Sequence, residues 1–228
     1  MTERKPRLLD LFSGAGGCAK GYQRAGFYVV GVDIKPQPRY CGEEFYQGDA
    51  LEFLAEHGHE FDAIHASPPC QSYSALRHLH PERSYPDLVD ETRRRLEACG
   101  VPWVIENVPK SPLRHCIRLC GSAFKIGVRR HRLFESSERI AGVMCVHELQ
   151  ARPIDVSGTG SRRKGERPDR GGGNSNKPHS LAEAREAIGI DWMTRKELSQ
   201  AIPPAYTTWI GRQLVAHLAA SRPEKGNG

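Results

Sequence analysis

The segment from Leu8 to Asp33 constrains the fold more than any other part of the chain. Leu8-Leu9-Asp10-Leu11-Phe12 is a short, mostly apolar run that reads as a buried strand, and the glycine-rich turn Ser13-Gly14-Ala15-Gly16-Gly17 follows at once. A helix extends from that turn to about Ala25, Gly26-Phe27 ends it, and Tyr28 to Asp33 is a second strand that finishes in a carboxylate. This is a βαβ unit. Glycines at such a strand-to-helix turn let a ligand approach the backbone, and Asp33 sits where open α/β folds hydrogen-bond a ribose. The spacing Gly14-x-Gly16-Gly17 departs from G-x-G-x-x-G, so the loop alone fits a nucleoside cradle or a simple tight turn equally well.

A second apolar run, Phe61-Asp62-Ala63-Ile64-His65-Ala66, is stopped by Pro68-Pro69, because proline has no N–H to give to a ladder. Cys70 then falls just beyond the carboxyl end of a strand, the edge at which open α/β sheets bind ligands. An isolated cysteine is more often a buried structural residue, so its neighbours decide the matter. Trp103-Val104-Ile105-Glu106-Asn107-Val108-Pro109 is a further strand that runs into a carboxylate, and the usual right-handed crossover puts it beside the Cys70 strand. A thiol and a carboxylate from neighbouring strand ends suit covalent chemistry with acid assistance. Val128 to Glu135 reads as a β-like piece in which Arg130 and Arg132, two apart, share a face and could hold a phosphate or a carbonyl oxygen.

Other stretches leave two readings open. Asp49 is either the N-cap of a helix over Leu51 to His57 or a group that reads an adenine amine. The polar loop from Leu76 to Pro86 is either a mobile cover over the site or a plain surface loop. Asp87 to Cys99 is an amphipathic helix whose triplet Arg93-Arg94-Arg95 reads as a solvated face. Ser180 caps a helix to Ile188, and Trp209 to Ala220 forms the last one.

Composition narrows the class. The net charge of +6 favours a polyanionic partner such as nucleic acid. The seven cysteines lack regular spacing and fit free thiols in a reducing compartment. No stretch approaches the ~18 consecutive apolar residues of a membrane span, and the start of the chain shows no secretory apolar region; the expected location is cytoplasmic, with no membrane partner.

Taken together, these segments resemble the DNA (cytosine-5) methyltransferases. Asp10-Leu11-Phe12-Ser13-Gly14-Ala15-Gly16-Gly17 is similar to that family's cofactor motif, and Pro69-Cys70-Gln71 to its nucleophile motif. Glu106-Asn107-Val108 matches its E-N-V, Arg130-x-Arg132 the end of its Q-x-R-x-R, and Gln200 to Tyr206 with Ile210-Gly211 its last motif, which folds back beside the first. The matches keep the family's order over 8–134 and 197–214. The resemblance implies a Rossmann-like α/β fold for S-adenosylmethionine-dependent methyltransferases, a mostly parallel twisted sheet flanked by helices with a small C-terminal recognition lobe. It implies S-adenosyl-L-methionine held by Asp10, Phe12, Ser13, Gly14, Gly16, Gly17, Asp33, Ile34, Asp49, Ala50 and Pro69. Cys70, Glu106, Arg130 and Arg132 would be the catalytic set, acting without a metal on cytosine in duplex DNA, in a monomer. The same chemistry on RNA or a free cytosine nucleotide, or a nucleic-acid-binding protein without turnover, are the alternatives.

Three departures matter. Val128 stands at the position of the family's Gln, and Ser67-Pro68 replaces its more usual pair before Pro69-Cys70. The third is size: 1–135 would be the catalytic and cofactor-binding domain, 136–196 a small target-recognition region with a flexible Gly- and Arg-rich loop at 157–178, and 197–220 a returning C-terminal segment. So short a recognition region implies short or relaxed specificity. Cys116, Cys120, Cys145 and His147 give a loose C-x3-C…C-x-H pattern, too loose in spacing to assign a metal.

Overall fold

Strands β1 (Arg7–Leu11) and β2 (Tyr28–Asp33), joined by helix α1 (Gly17–Ala25), start the sheet as expected. Gly26 ends α1 at φ 108°, a left-handed conformation that glycine adopts without strain. The computed structural model describes residues 4–70, 87–150, 152–157 and 176–221. Gln71, the loop from Leu76 to Pro86, most of 157–178 and the tail beyond Ser221 lie outside them.

The chain continues through β3 (Glu44–Gln47), α2 (Ala50–His57), β4 (Ala63–Ala66), α3 (Val89–Cys99), β5 (Trp103–Asn107), β6 (Ile117–Leu119) and β7 (Arg132–Ser136), then α4 (Leu181–Ile188), α5 (Arg195–Gln200) and α6 (Pro204–Ala220). The strands form one sheet in the order β3-β2-β1-β4-β5-β7-β6. The first five are parallel, and β7 lies antiparallel to both β5 and β6. The order reverses between β1 and β4, which makes their carboxyl ends the switch point where such sheets bind ligands.

Successive strand residues face opposite ways, and both faces are covered. Leu8, Val29 and Val104 join Tyr22, Ile210 and Leu214 in one core under α1 and α6. Leu9, Val30, Ile64 and Ile105 join Leu54 and Leu96 in the other, under α2 and α3. A third cluster, Val156, Ala187, Ile188, Met193 and Leu198, packs on Ala15 and Val128, so the segment around α4 and α5 is seated directly against the turn after β1. No helix among the described residues is long and apolar enough to cross a membrane.

Three elements differ from expectation. Helix α6 begins at Pro204 rather than Trp209, because proline's missing N–H costs nothing in a first helical turn. Strand β7 begins at Arg132 rather than Val128, and Val128 is a core residue at 1% exposure. Arg93 is buried: it lies on the inward face of α3 with Val89, Thr92 and Leu96, and its guanidinium meets both oxygens of Glu135, at 2.6 and 2.9 Å. Only Arg94 and Arg95 of the triplet are on the outer side, both paired with Glu91. A run of three like charges on a helix spans almost a full turn, so one of them must turn inward when the face beside it is apolar.

Helices α1 and α6 cross at glycine. A Cβ on Gly21 would come within 1.9 Å of Thr207 Oγ1, the hydroxyl that donates to Cys18 O at 2.9 Å. Gly21→Ala is therefore expected to destabilise the fold by about 1–3 kcal/mol, the usual range for overpacking, read as a lower urea midpoint. A midpoint equal to the parent's would mean that the two helices can part without cost.

Candidate active site

The carboxyl ends of β1, β2, β4 and β5 share one edge of the sheet. At the end of β1 the backbone turns sharply, with Phe12 at φ 58°, Gly14 at 50° and Gly16 at 85°. The turn is held by Ser13 N–H to Val32 O at 3.1 Å and Gly16 N–H to Ser13 O at 3.1 Å. Asp33, at the end of β2, accepts from Gly14 N–H at 3.0 Å through one oxygen and from Lys35 N–H at 2.9 Å through the other. Beside Gly14 there is open space: a Cβ there would meet nothing within 4 Å. On the other side the turn is closed by the C-terminal segment, since a Cβ on Gly17 would come within 2.6 Å of Ile202 O.

Ile34, next to Asp33, is 66% exposed, an unusual placement for a large apolar side chain at a strand end. Asp49 is the N-cap of α2, with Oδ1 accepting from Leu51 N–H at 2.8 Å and Glu52 N–H at 3.0 Å, and Ala50 is buried at the helix start. Phe12 packs into the core beneath α2 and α3, and Ser13 is buried. Asp10 is set deeper than the rest. Its carboxylate is 1% exposed, packs with Cys18 and His65, and has no hydrogen-bond partner on either oxygen. Burial, and then the charge of Asp33, hold its pKa well above the usual carboxylate range.

Cys70 and Glu106 come from the neighbouring strands β4 and β5, as the crossover requires. The register Ala66↔Ile105 puts Ser67 level with Glu106 and Pro68 level with Asn107. Asn107 Nδ2 donates to Pro68 O at 3.1 Å and so ties the end of β5 to the Pro-Pro-Cys segment. Glu106 is 5% exposed, and burial raises its pKa while Arg132 pulls it back. Arg132 Nε lies 3.0 Å from Glu106 Oε1, an ion-pair distance whose N–H is not aligned for a hydrogen bond, and that oxygen has no other partner. Cys70 is partly buried and its thiol pKa is raised, first by burial and then by the charge of Glu106, with Arg132 opposing.

Arg130 is used differently from Arg132. Its guanidinium donates to the carbonyls at the end of α5, Leu198 at 3.1 Å, Ser199 at 2.6 Å and Ala201. A cation suits a helix C-terminus, where carbonyls are left unpaired. Pro69 precedes Cys70 and is partly buried. The sequence reading passed over His65. Its ring meets Tyr22 Oη at 2.9 Å on Nδ1, and Ser67 Oγ at 3.0 Å and Cys18 Sγ at 3.2 Å on Nε2. Burial drops its pKa to about 3, so it is a neutral spacer fixing Ser67 beside Glu106. Only its place in an apolar strand two residues before Ser67 signalled this.

Comparison with known proteins fits this geometry. Residues 6–110 match the model of the C-5 cytosine-specific DNA methylases. Over this segment, somewhat under half of the chain, the protein is similar to that family. The Type II methyltransferase M.FnuDI of Fusobacterium nucleatum is 36% identical over 86 residues, 34% of this chain and 25% of that protein. M.XorII of Xanthomonas oryzae pv. oryzae is 30% identical over 123 residues, 46% and 27% of the two chains. The matched part thus spans about a quarter of the length of these curated relatives. Among solved structures, the S. pombe Dnmt2 methyltransferase superposes with a TM-score of 0.58 at 15% identity, over 94% of this chain and 99% of that one. A prophage-encoded E. coli protein described as a DNA modification methyltransferase gives 0.58 at 16%, over 95% and 100%. At such identities the likeness concerns the fold, which is the Rossmann-like methyltransferase fold.

The raised thiol pKa has a direct consequence. Alkylation of Cys70 by iodoacetamide, followed by mass spectrometry of its peptide, is expected to climb with pH through the alkaline range. Glu106→Gln removes a charge that keeps the thiol protonated and should speed the reaction at fixed pH, about tenfold for each unit by which the thiol pKa falls. A Cys70 already fully reactive at neutral pH, or one slowed by Glu106→Gln, contradicts this electrostatic picture.

Proposed function

We propose that the protein is an S-adenosylmethionine-dependent DNA cytosine-5 methyltransferase that acts on a cytosine turned out of the duplex, through a covalent adduct at Cys70. The observation that carries this reading is the convergence of a thiol, a buried carboxylate and a guanidinium, Cys70, Glu106 and Arg132, at one strand edge beside the glycine turn. A base stacked in a duplex is out of reach of such a site, and turning it out costs a few kcal/mol. Duplex DNA as substrate, a monomeric state and a cytoplasmic location belong to the same proposal.

Carbon 5 of cytosine is too weak a nucleophile to take a methyl group unaided. Cys70, as the thiolate, forms a bond from Sγ to carbon 6, and the displaced ring electrons move towards N3. Glu106 supplies the proton that neutralises N3, a role favoured by the burial that keeps its carboxyl protonated to higher pH than a free glutamate. Arg132 holds the base O2 or the flanking phosphate, and Arg130, fixed to the end of α5, steadies the segment that leads to it. Carbon 5, now part of an enamine, accepts the methyl group. Loss of the carbon 5 proton to solvent and rupture of the carbon–sulfur bond then return the Cys70 thiolate, and N3 gives its proton back to the Glu106 carboxylate.

The residues at the sheet edge fit S-adenosylmethionine: the open side of the turn at Gly14, the Asp33 carboxylate with exposed Ile34 beside it, and Asp49 capping α2. Bound there, the cofactor supplies an electrophilic methyl group.

Transfer of labelled methyl to duplex DNA, with single-stranded DNA, tRNA and dCMP in parallel, tests the proposal. The expected product is 5-methyldeoxycytidine in the duplex. Label only in RNA or the nucleotide would refute the substrate, and none anywhere with cofactor still bound would refute the activity. Cys70→Ala should abolish transfer and Cys70→Ser nearly so, both with cofactor binding intact. Glu106→Gln should slow it by the ~10²–10⁴ typical of lost acid–base assistance; an unchanged rate would remove Glu106 from this role.

A further inference from the structure

Along the sheet from Cys70, at its β7–β6 side, four side chains that the methyl-transfer chemistry does not use converge. They are Cys120, His131, Cys145 and His147, and one ligand atom from each lies within 4.8 Å of every other. The sheet assembles half of the group. In the antiparallel pair of β6 and β7, Arg118 faces Leu133 and Leu119 faces Arg132, so one step further Cys120 faces His131, and directly opposed residues have their Cβ atoms about 5 Å apart. The other half comes from the Cys-x-His of the short turn at His147–Leu149.

That turn is fixed independently of the four. Val146 N–H donates to Ser122 Oγ at 3.1 Å, and Arg129 Nη2 donates to His147 O at 3.2 Å and Gln150 O at 3.0 Å. Ser122 Oγ in turn donates to Cys120 Sγ at 3.2 Å. Cys120 Sγ lies 3.3 Å from His147 Nε2, and Cys145 Sγ lies 3.5 Å from His131 Nε2. Around a tetrahedral Zn²⁺ with bonds of about 2.3 Å to sulfur and 2.0 Å to nitrogen, neighbouring S and N ligands are about 3.5 Å apart. Cys116, the other cysteine near this edge, is excluded by the strand itself: four residues before Cys120 in extended chain, it is about 13 Å away.

We propose that Cys120, His131, Cys145 and His147 form a structural Zn²⁺ site that staples the 137–150 segment to the edge strand β6. Two thiolates and two neutral imidazoles suit zinc in donor type and balance its charge. Loading requires loss of the Cys120 thiol proton, which is given to Arg129 O at 3.3 Å in the metal-free arrangement, so binding releases protons to solvent. Because His131 lies between Arg130 and Arg132, the metal would also anchor the chain that carries Arg132 to Glu106.

The test is the metal content of the full chain after tag removal and dialysis against metal-depleted buffer, with cobalt substitution. The expected result is about one zinc per chain, replaceable by Co²⁺ with the visible d–d bands of a tetrahedral site. Cys145→Ser and His131→Ala should each lose most of it, and Cys116→Ser should keep it. As a readout on the unmutated protein, Cys120 and Cys145 should alkylate much more slowly than Cys116 and lose that protection on chelation. Protein without zinc that cannot be loaded, zinc kept equally by all variants, or a Cys120–Cys145 disulfide would each overturn the proposal.

Discussion

A carboxylate buried at the end of a parallel strand has to be compensated, and much of this architecture follows from how Glu106 is. An unpaired buried charge costs several kcal/mol, and β5 can supply no cation at that depth. The compensation comes from β7, inserted antiparallel next to β5 with Glu106 opposite Phe134. Arg132, two residues before Phe134, is then a diagonal neighbour within reach of a long side chain, and it closes to 3.0 Å. The misaligned N–H leaves one carboxylate oxygen without a hydrogen bond. A group that is paired yet incompletely satisfied fits the proton-donor role proposed for Glu106, because full pairing would hold it ionised.

The same strand serves a second buried acid. Glu135, the next residue after Phe134, points to the other face and is satisfied by Arg93 from α3 and by Arg114 N–H at 2.7 Å. Thus β7 is fixed by charge on both faces. Its approach is fixed by Arg130, held on the end of α5, and by Tyr206 of α6, whose hydroxyl donates to Arg130 O. The C-terminal segment therefore reaches the site twice, once through Arg130 and once where Ile202 closes the turn at Gly17.

Much of this was legible in the sequence, for identifiable reasons. Strand runs broken by Gly or Pro, as at Leu8–Phe12 and Phe61–Ala66, mark both the strands and their active ends. The rule for right-handed crossovers was enough to seat Glu106 beside the Cys70 segment, and the register agrees. What escaped depended on partners far away in the chain. Arg93 looked like part of a solvated triplet because nothing local reveals Glu135, 42 positions on. Arg130 looked like a partner of Arg132 because alternation was assumed for residues that precede β7, whereas the end of α5 claims its guanidinium. The loose pattern of Cys116, Cys120, Cys145 and His147 did not include His131, because only the β6–β7 register brings that residue opposite Cys120.

The covalent role of Cys70 is the claim on which this account rests. Duplex DNA with 5-fluorocytosine at a methylated position tests it most directly, because fluorine at carbon 5 cannot leave as a proton and the adduct is trapped. The account predicts a denaturant-resistant protein–DNA complex that needs S-adenosylmethionine and whose digest places the nucleotide on the Cys70 peptide. Methylation of ordinary duplex with no trapped complex, or a complex through another residue, would contradict it.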